Sequence, residues 1–394
     1  MGESIRRGNN DKARIVIMMD AFVEWARSRN IFFPNVELRK CFDNSGYGIF
    51  AKRNLRENEI LITVPLDVMI TAKSLVEVPY YEKLFSGRKL KPFEALVVFF
   101  IVESKKSENL QWAPYLNVLP KCFSTPAVVD SDLNSEYLPA TERELWDNQK
   151  KEISSVYKKI DSVLDCSLSY DLFLWAWHIV NSRCICVPSN PHTMFDNSEG
   201  DSIAVIPVVD MLNHSNIYQG FCEWNNVMQR YVVTSARAVA EGEQVFVCYG
   251  PHTNGRLWID YGFTLPNNTC NRIPITPDLL IMLAEESGMQ ITKDHEQAIK
   301  DSKLSCTLYS SDDLPSYGYR AAFRILHLDR QQLEKWSYYV YNDDWEDDNN
   351  CDGLKLSIQC LHRHYSSKRD KMPKKYQWIW NEYLAILDHY LKNM

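Results

Sequence analysis

Six consecutive residues carry most of the chemistry this sequence offers. Asp210-Met211-Leu212-Asn213-His214-Ser215 puts an acid, an amide, an imidazole and a hydroxyl directly after the apolar run 206–209. Polar density at the end of a strand is suited to lining a site, although an Asx-type turn with one satisfied histidine would use the same residue types. A Ser-His-Asp hydrolase does not follow, because no GxSxG nucleophile turn occurs in the chain. Cys248-Tyr249-Gly250-Pro251 ends a second apolar run with a phenol and a turn, which reads either as hairpin filling or as a working hydroxyl. Arg183 closes an aromatic stretch; a cation there can answer a helix dipole or clamp a carboxylate. Gly46-x-Gly48-x-x-Ala51 has the spacing of a dinucleotide fingerprint, but polar residues 52–58 follow it and lead to a strand rather than a helix, so no phosphate cradle is expected. Two close glycines still permit unusual backbone angles and the close approach of a ligand to the main chain. Cys360-Leu361-His362-Arg363-His364 falls in a helical pattern, where neighbouring side chains diverge, and no metal site is expected from it.

The elements that must position these residues are legible in outline. Residues 18–30 read as a helix with Met18, Phe22, Trp25 and Ala26 on one side. A strand at 59–64 is stopped by Pro65. From about 73 to 200 the pattern turns helical, with a buried helix at 93–103, a polar one at 141–165 and an aromatic one at 170–181, before a Pro-, Asn- and Gly-bearing return linker at 188–201. Strands resume at 203–209, and a hairpin is expected between 231–233 and 244–249 through Glu241-Gly242-Glu243. Helical spacing returns at 276–288, 317–342, 353–366 and 376–393. The acidic run 343–348 and the basic run Lys368, Arg369, Lys371, Lys374, Lys375 read as solvated loops.

Composition excludes several classes. The 394 residues are 45% hydrophobic and 24% charged, ordinary for a globular chain and unlike a disordered one. The net charge of −7 argues against a surface coated for polyanions. The longest apolar run spans only residues 95–102, well short of the roughly 20 a bilayer span needs. Eleven dispersed cysteines without a CxxC pair fit free thiols in a reducing compartment. A soluble protein of the cytoplasm, the nucleus or both is therefore expected.

Taken together, the ordered segments Gly46-Tyr47-Gly48, a helical insertion containing Trp175-Ala176-Trp177-His178 and Ser182-Arg183, Asp210 through Ser215, and Val247-Cys248-Tyr249-Gly250 continuing to Tyr261-Gly262-Phe263 resemble SET-domain methyltransferases of the plant Rubisco large-subunit lysine methyltransferase class. The resemblance implies an α+β fold: a helical lead-in over 1–36, a β-rich SET core over 37–268 split by the helical insertion, and an all-helical domain over 269–394 that helps hold a protein substrate. It implies S-adenosylmethionine as methyl donor. It places donor contacts on Ser45, Gly46, Tyr47, Arg183, Asp210, Met211, Leu212, Asn213, His214, Tyr261, Gly262 and Phe263, and the catalytic phenol on Tyr249. The expected activity is methylation of a protein lysine, histone or not, by a monomer that binds neither nucleic acid nor membrane, with no metal. One branch of the class methylates actin histidine and carries Asn two residues after the clamp arginine. Here that position is Ile185, whose apolar side chain suits a lysine stem and, with Tyr249, is expected to meet the substrate. A catalytically silent binding module of the same fold is the remaining alternative.

Overall fold

The computed structural model describes residues 17–41, 46–106, 111–164, 168–188, 191–196, 202–341 and 351–394. Helix α1 covers residues 17–28 and buries Phe22, Trp25 and Ala26 on one face. Strands β1 (Val36–Lys40), β2 (Tyr47–Ala51), β3 (Ile60–Pro65) and β4 (Ile70–Thr71) follow. Next come helices α2 (Ala72–Val76), α3 (Pro79–Phe85), α4 (Pro92–Lys105), α5 (Ala113–Val118), α6 (Pro126–Val129), α7 (Ala140–Val163) and α8 (Tyr170–Arg183). Pro92 opens α4, where its missing N–H costs nothing. The helix is apolar around most of its circumference because 95–101 are all buried.

Strands β5 (Cys184–Cys186), β6 (Ile203–Val205), β7 (Asn213–His214), β8 (Gly220–Asn225), β9 (Arg230–Ser235) and β10 (Gln244–Val247) complete three small sheets. Their orders are β1-β2-β10-β7, β3-β9-β8 and β4-β6-β5. After helix α9 (Asn254–Tyr261) come β11 (Arg272–Ile275), α10 (Pro277–Glu286), α11 (Lys293–Ser302), β12 (Cys306–Tyr309), α12 (Tyr317–Leu326), α13 (Arg330–Leu333), α14 (Trp336–Tyr341), α15 (Cys351–Lys371) and α16 (Gln377–Asn393). The architecture is α+β, as the sequence implied.

Several local expectations are corrected. The aromatic helix ends at Arg183, as read, and passes straight into β5, a strand inside the segment read as helical insertion. The strand read at 203–209 stops at Val205. Pro207 lacks a ladder donor, Val208 sits at φ 75°, and Val209–Met211 form a 3-10 turn. The expected hairpin does not form either. β9 pairs with β8 and β3, while β10 pairs antiparallel with β2 and parallel with β7. The true hairpin turn is at 225–230, where the Asn225 side-chain oxygen accepts from the backbone N–H groups of Val227 and Met228, an Asx turn. The helix read over 317–342 is three helices, because Asp329 caps a new start by accepting from Gln331 and Gln332. The basic run is helical as well: Lys368, Arg369 and Lys371 occupy the last turn of α15, and Lys375 pairs with Asp130 at 2.8 Å. The acidic run lies outside the described residues.

The chain forms two compact units, Met1–Val129 with Gln149–Gly250 and Asp260–Gly262, and Asp130–Asn148 with Pro251–Ile259 and Phe263–Met394. These divide the chain at other places than the three segments read from sequence. The second unit is mainly helical and also carries the antiparallel β11–β12 pair. Its core gathers Leu308, Tyr319, Phe323, Leu361, Leu387 and Tyr390. Within it Glu142 is buried and accepts a hydrogen bond from the Tyr383 hydroxyl at 2.9 Å. Burial pushes its carboxyl up to about 7.

A group whose pKa rises on folding stabilises the fold fully below its unfolded value and loses that contribution as pH climbs through the folded one. Glu142 is therefore expected to cost roughly 3 kcal/mol of stability between pH 4.5 and pH 8. Urea unfolding at several pH values checks this: Glu142→Gln should flatten the decline, and an unaltered decline would assign it elsewhere.

Candidate functional site

Apart from Phe263, the described residues assigned to the site from the sequence lie in the first unit. Helix α8 ends at Arg183, and its Nη1 donates to the Asp210 carbonyl at 2.8 Å and to Asp210 Oδ2 at 3.1 Å. The same nitrogen lies 3.7 Å from Met211 Sδ. Asp210 is buried, and burial raises its carboxyl pKa against the pull of Arg183 and of the Tyr115 hydroxyl. Tyr115 donates to Oδ2 at 2.8 Å. Two buried atoms of this pair have no hydrogen-bond partner among the described residues: Arg183 Nε, a donor, and Asp210 Oδ1, an acceptor. An unsatisfied buried polar group costs about 1–3 kcal/mol, so a bound group that paired with both atoms would recover that cost.

The turn carrying Asp210 is held under strain. Val208 is β-branched, fully buried and at φ 75°, a region such residues rarely enter. It redirects the chain so that Asp210, Met211 and Leu212 follow in a tight turn and Asn213 and His214 become β7.

Parallel pairing of β7 with β10 sets Phe246 opposite Asn213 and Val247 opposite His214. Tyr249 therefore emerges beside the turn. Its hydroxyl donates to the Leu212 carbonyl at 2.6 Å, and its backbone N–H donates to His214 Nδ1 at 3.1 Å. That second bond makes Nδ1 an acceptor and puts the ring proton on Nε2. The His214 and Tyr249 rings stack at 5.1 Å. Burial raises the Tyr249 phenol pKa well above its ordinary value. On the other flank, Asn213 Nδ2 donates to the Tyr47 carbonyl at 3.2 Å. Gly46 stands at φ +88°, and a Cβ there would meet no atom of the described residues within 4 Å.

Tyr261 packs 5.3 Å from Tyr249. The segment that carries it is fixed from two sides: Asn181 of α8 donates to the Asp260 carbonyl at 3.0 Å, and the Ser124 hydroxyl donates to the Gly262 carbonyl at 2.9 Å. Gly262 has φ +84°, and a Cβ there would lie 2.8 Å from Ser124 backbone, so only glycine fits. Ile185 lies in β5 opposite Ala204, two residues beyond Arg183. Phe263 falls in the second unit, and Ser45 lies outside the described residues. Tyr115, Asn181 and Ser124 were missed in the sequence. Each bonds to residues far away in the chain, and no local pattern announces that.

One more buried group braces α8. His178 Nδ1 is 2.8 Å from the Leu174 carbonyl, so it carries the proton, and Nε2 accepts from the Thr125 hydroxyl at 2.7 Å. Among the described residues, no group of three or more His, Cys, Asp or Glu is placed to hold a metal ion, and no helix is long and apolar enough to cross a membrane.

The chain belongs to the SET-domain family, whose model matches residues 46–250. It is similar to SET domain-containing protein 4 of Mus musculus, with 26% identity over 361 residues, 87% of this chain and 81% of that protein. Ribosomal lysine N-methyltransferase set11 of Schizosaccharomyces pombe is 27% identical over 254 residues, 64% of this chain and 62% of that protein. The crystal structure of the SET domain of LSMT bound to lysine and AdoHcy shares the fold, with a TM-score of 0.63 at 16% identity over 96% of this chain and 90% of that one.

Burial holds the His178 pKa down at about 4. The neutral ring is favoured in the folded state, so its contribution is complete above pH 6.5 and is lost as pH falls toward 4, by roughly 3 kcal/mol in all. Chemical denaturation from pH 7 to 4.5 should show a smaller fall for His178→Gln than for the wild type. Equal falls would place the acid sensitivity on other groups.

Proposed function

We propose that this chain is a protein-lysine N-methyltransferase that uses S-adenosylmethionine. The observation that carries the reading is the open donor and acceptor of the Arg183–Asp210 pair, in the same unit as the phenol of Tyr249. The methyl donor bears its methyl on a sulfonium sulfur and so supplies electrophile and leaving group together, which makes a covalent enzyme intermediate unnecessary. Its amino-acid end is a zwitterion, and the pair offers one buried N–H for a carboxylate and one buried carboxylate oxygen for an ammonium. Arg183 and Asp210 are assigned to that end. The main chain at Gly46 and Tyr47 and at Met211 through His214, with Ser45, Tyr261 and Gly262, is assigned to the remainder.

Tyr249 acts through its oxygen. Its proton is committed to the Leu212 carbonyl, so the lone pairs are what it turns toward positive charge. Its raised pKa keeps the phenol protonated at neutral pH and rules it out as a base there. It holds the acceptor amine in line and stabilises charge by a fixed dipole. The acceptor must shed a proton from an ammonium of pKa about 10.4, and desolvation beside buried aromatic rings favours the neutral amine. No side chain is assigned as general base; the proton leaves through water.

Ile185 favours lysine over histidine, since an apolar side chain gives an imidazole nothing to bond. The partner is a protein presenting a lysine, with the mainly helical C-terminal part as the holding surface. We assign the enzyme to the cytoplasm, the nucleus or both, as a monomer without nucleic-acid or membrane partners.

Calorimetry and labelled-methyl transfer test this together. Arg183→Ala should weaken S-adenosylmethionine binding by about 1–3 kcal/mol, and unchanged affinity would overturn the clamp. Tyr249→Phe should lower transfer far more than donor affinity; full activity would remove the phenol from the mechanism. Mass spectrometry of labelled cell extract should locate the methyl on lysine. Label on histidine would move the chain to the other branch, and donor binding without transfer would make it a silent module.

A further inference from the structure

Tyr115 lies 95 positions before Asp210 in the sequence and touches it through one hydrogen bond. Its ring is fully buried and packed among aromatics: Phe22 at 5.9 Å, Trp25 at 6.1 Å in a stacked pose, and Trp112 at 6.5 Å. The hydroxyl is thus delivered by a rigid cluster, and its proton goes to the oxygen of Asp210 that also accepts from Arg183. Two donors on Oδ2 fix the carboxylate's rotation and leave Oδ1 as the open atom. The chelation of Nη1 by Asp210 backbone and side-chain oxygens fixes the guanidinium in turn, leaving Nε as its open donor.

We infer that Tyr115 is a positioning residue for the methyl-donor site: it aims the Asp210–Arg183 pair and sets the pH below which the pair stops holding the donor's amino-acid end. The inference rests on the donor reading above.

The sign follows from the contacts. A hydrogen bond donated to a carboxylate favours the charged form and lowers its pKa. The charged and titratable side chains acting on Asp210 are Arg183 from α8, Tyr115 from α5 and Tyr249 beyond β10. The two phenols do not ionise in the acid range, and the guanidinium stays charged throughout. Loss of the Tyr115 hydroxyl therefore leaves Asp210 easier to protonate, and the acid limit of donor binding moves to higher pH.

Titration calorimetry of S-adenosylhomocysteine on the full chain from pH 5 to 8 tests this without turnover. Tyr115→Phe keeps the ring and removes only the hydroxyl. It should weaken affinity about tenfold near pH 7 and raise the acid midpoint. Phe22→Leu disturbs the same cluster but spares the hydroxyl. It should lower the melting temperature and leave the acid midpoint in place. Asp210→Asn should abolish the acid limb, which keeps the test decisive if the Phe variant folds poorly. Wild-type binding with an unmoved midpoint in Tyr115→Phe, or an acid limb surviving in Asp210→Asn, would overturn the inference and leave the enzyme reading standing. A wild type that does not bind the ligand would remove both.

Discussion

An ion pair between a buried carboxylate and a partly buried guanidinium, with one donor and one acceptor unpartnered among the described residues, is the constraint that organises the first unit. Taking a guanidinium and a carboxylate out of water costs several kcal/mol per ion, and removing one partner of such a pair typically costs about 3–5 kcal/mol. The surroundings of Arg183 and Asp210 answer that cost specifically. Asp210 receives bonds from Nη1 and from Tyr115, and its own carbonyl takes a second bond from Nη1. Among the described residues, Arg183 Nε and Asp210 Oδ1 stay without a hydrogen-bond partner.

Strand topology turns this pair into part of a site. The strained residue Val208 bends the chain out of β6 and the 3-10 turn follows. Parallel pairing with β10 then lets the Tyr249 hydroxyl reach the Leu212 carbonyl. The third wall arrives separately: Asn181, two positions before Arg183 in α8, and Ser124 pin the Asp260–Gly262 segment so that Tyr261 lies against Tyr249. One helix end thus orients both the charged pair and the second phenol.

What the sequence disclosed follows from the same physics. Asp210 through His214, Arg183 and Tyr249 were legible because unusual residue types sat at the ends of apolar runs, where a fold places its working groups. The buried helix α4 and the aromatic helix α8 were legible from spacing. Pairing partners were not. The alternation in β9 and β10 is that of adjacent strands, and only the Asx turn at Asn225 and the return of β10 to β2 through Gly242, which donates to the Ala51 carbonyl at 2.8 Å, reveal the true neighbours. The β11–β12 pair hid because each strand has four residues between helices, too few for a periodic signal. Tyr115 hid for another reason: in a helix rich in apolar neighbours its hydroxyl looks like filling, and its role exists only once Asp210 is beside it.

A crystal structure of the chain with S-adenosylhomocysteine addresses the central claim most directly. The account predicts the ligand's carboxylate at Arg183 Nε, its ammonium at Asp210 Oδ1, and its sulfur on the side of the Tyr249 oxygen. A ligand bound elsewhere, with both atoms still unpartnered, would contradict it.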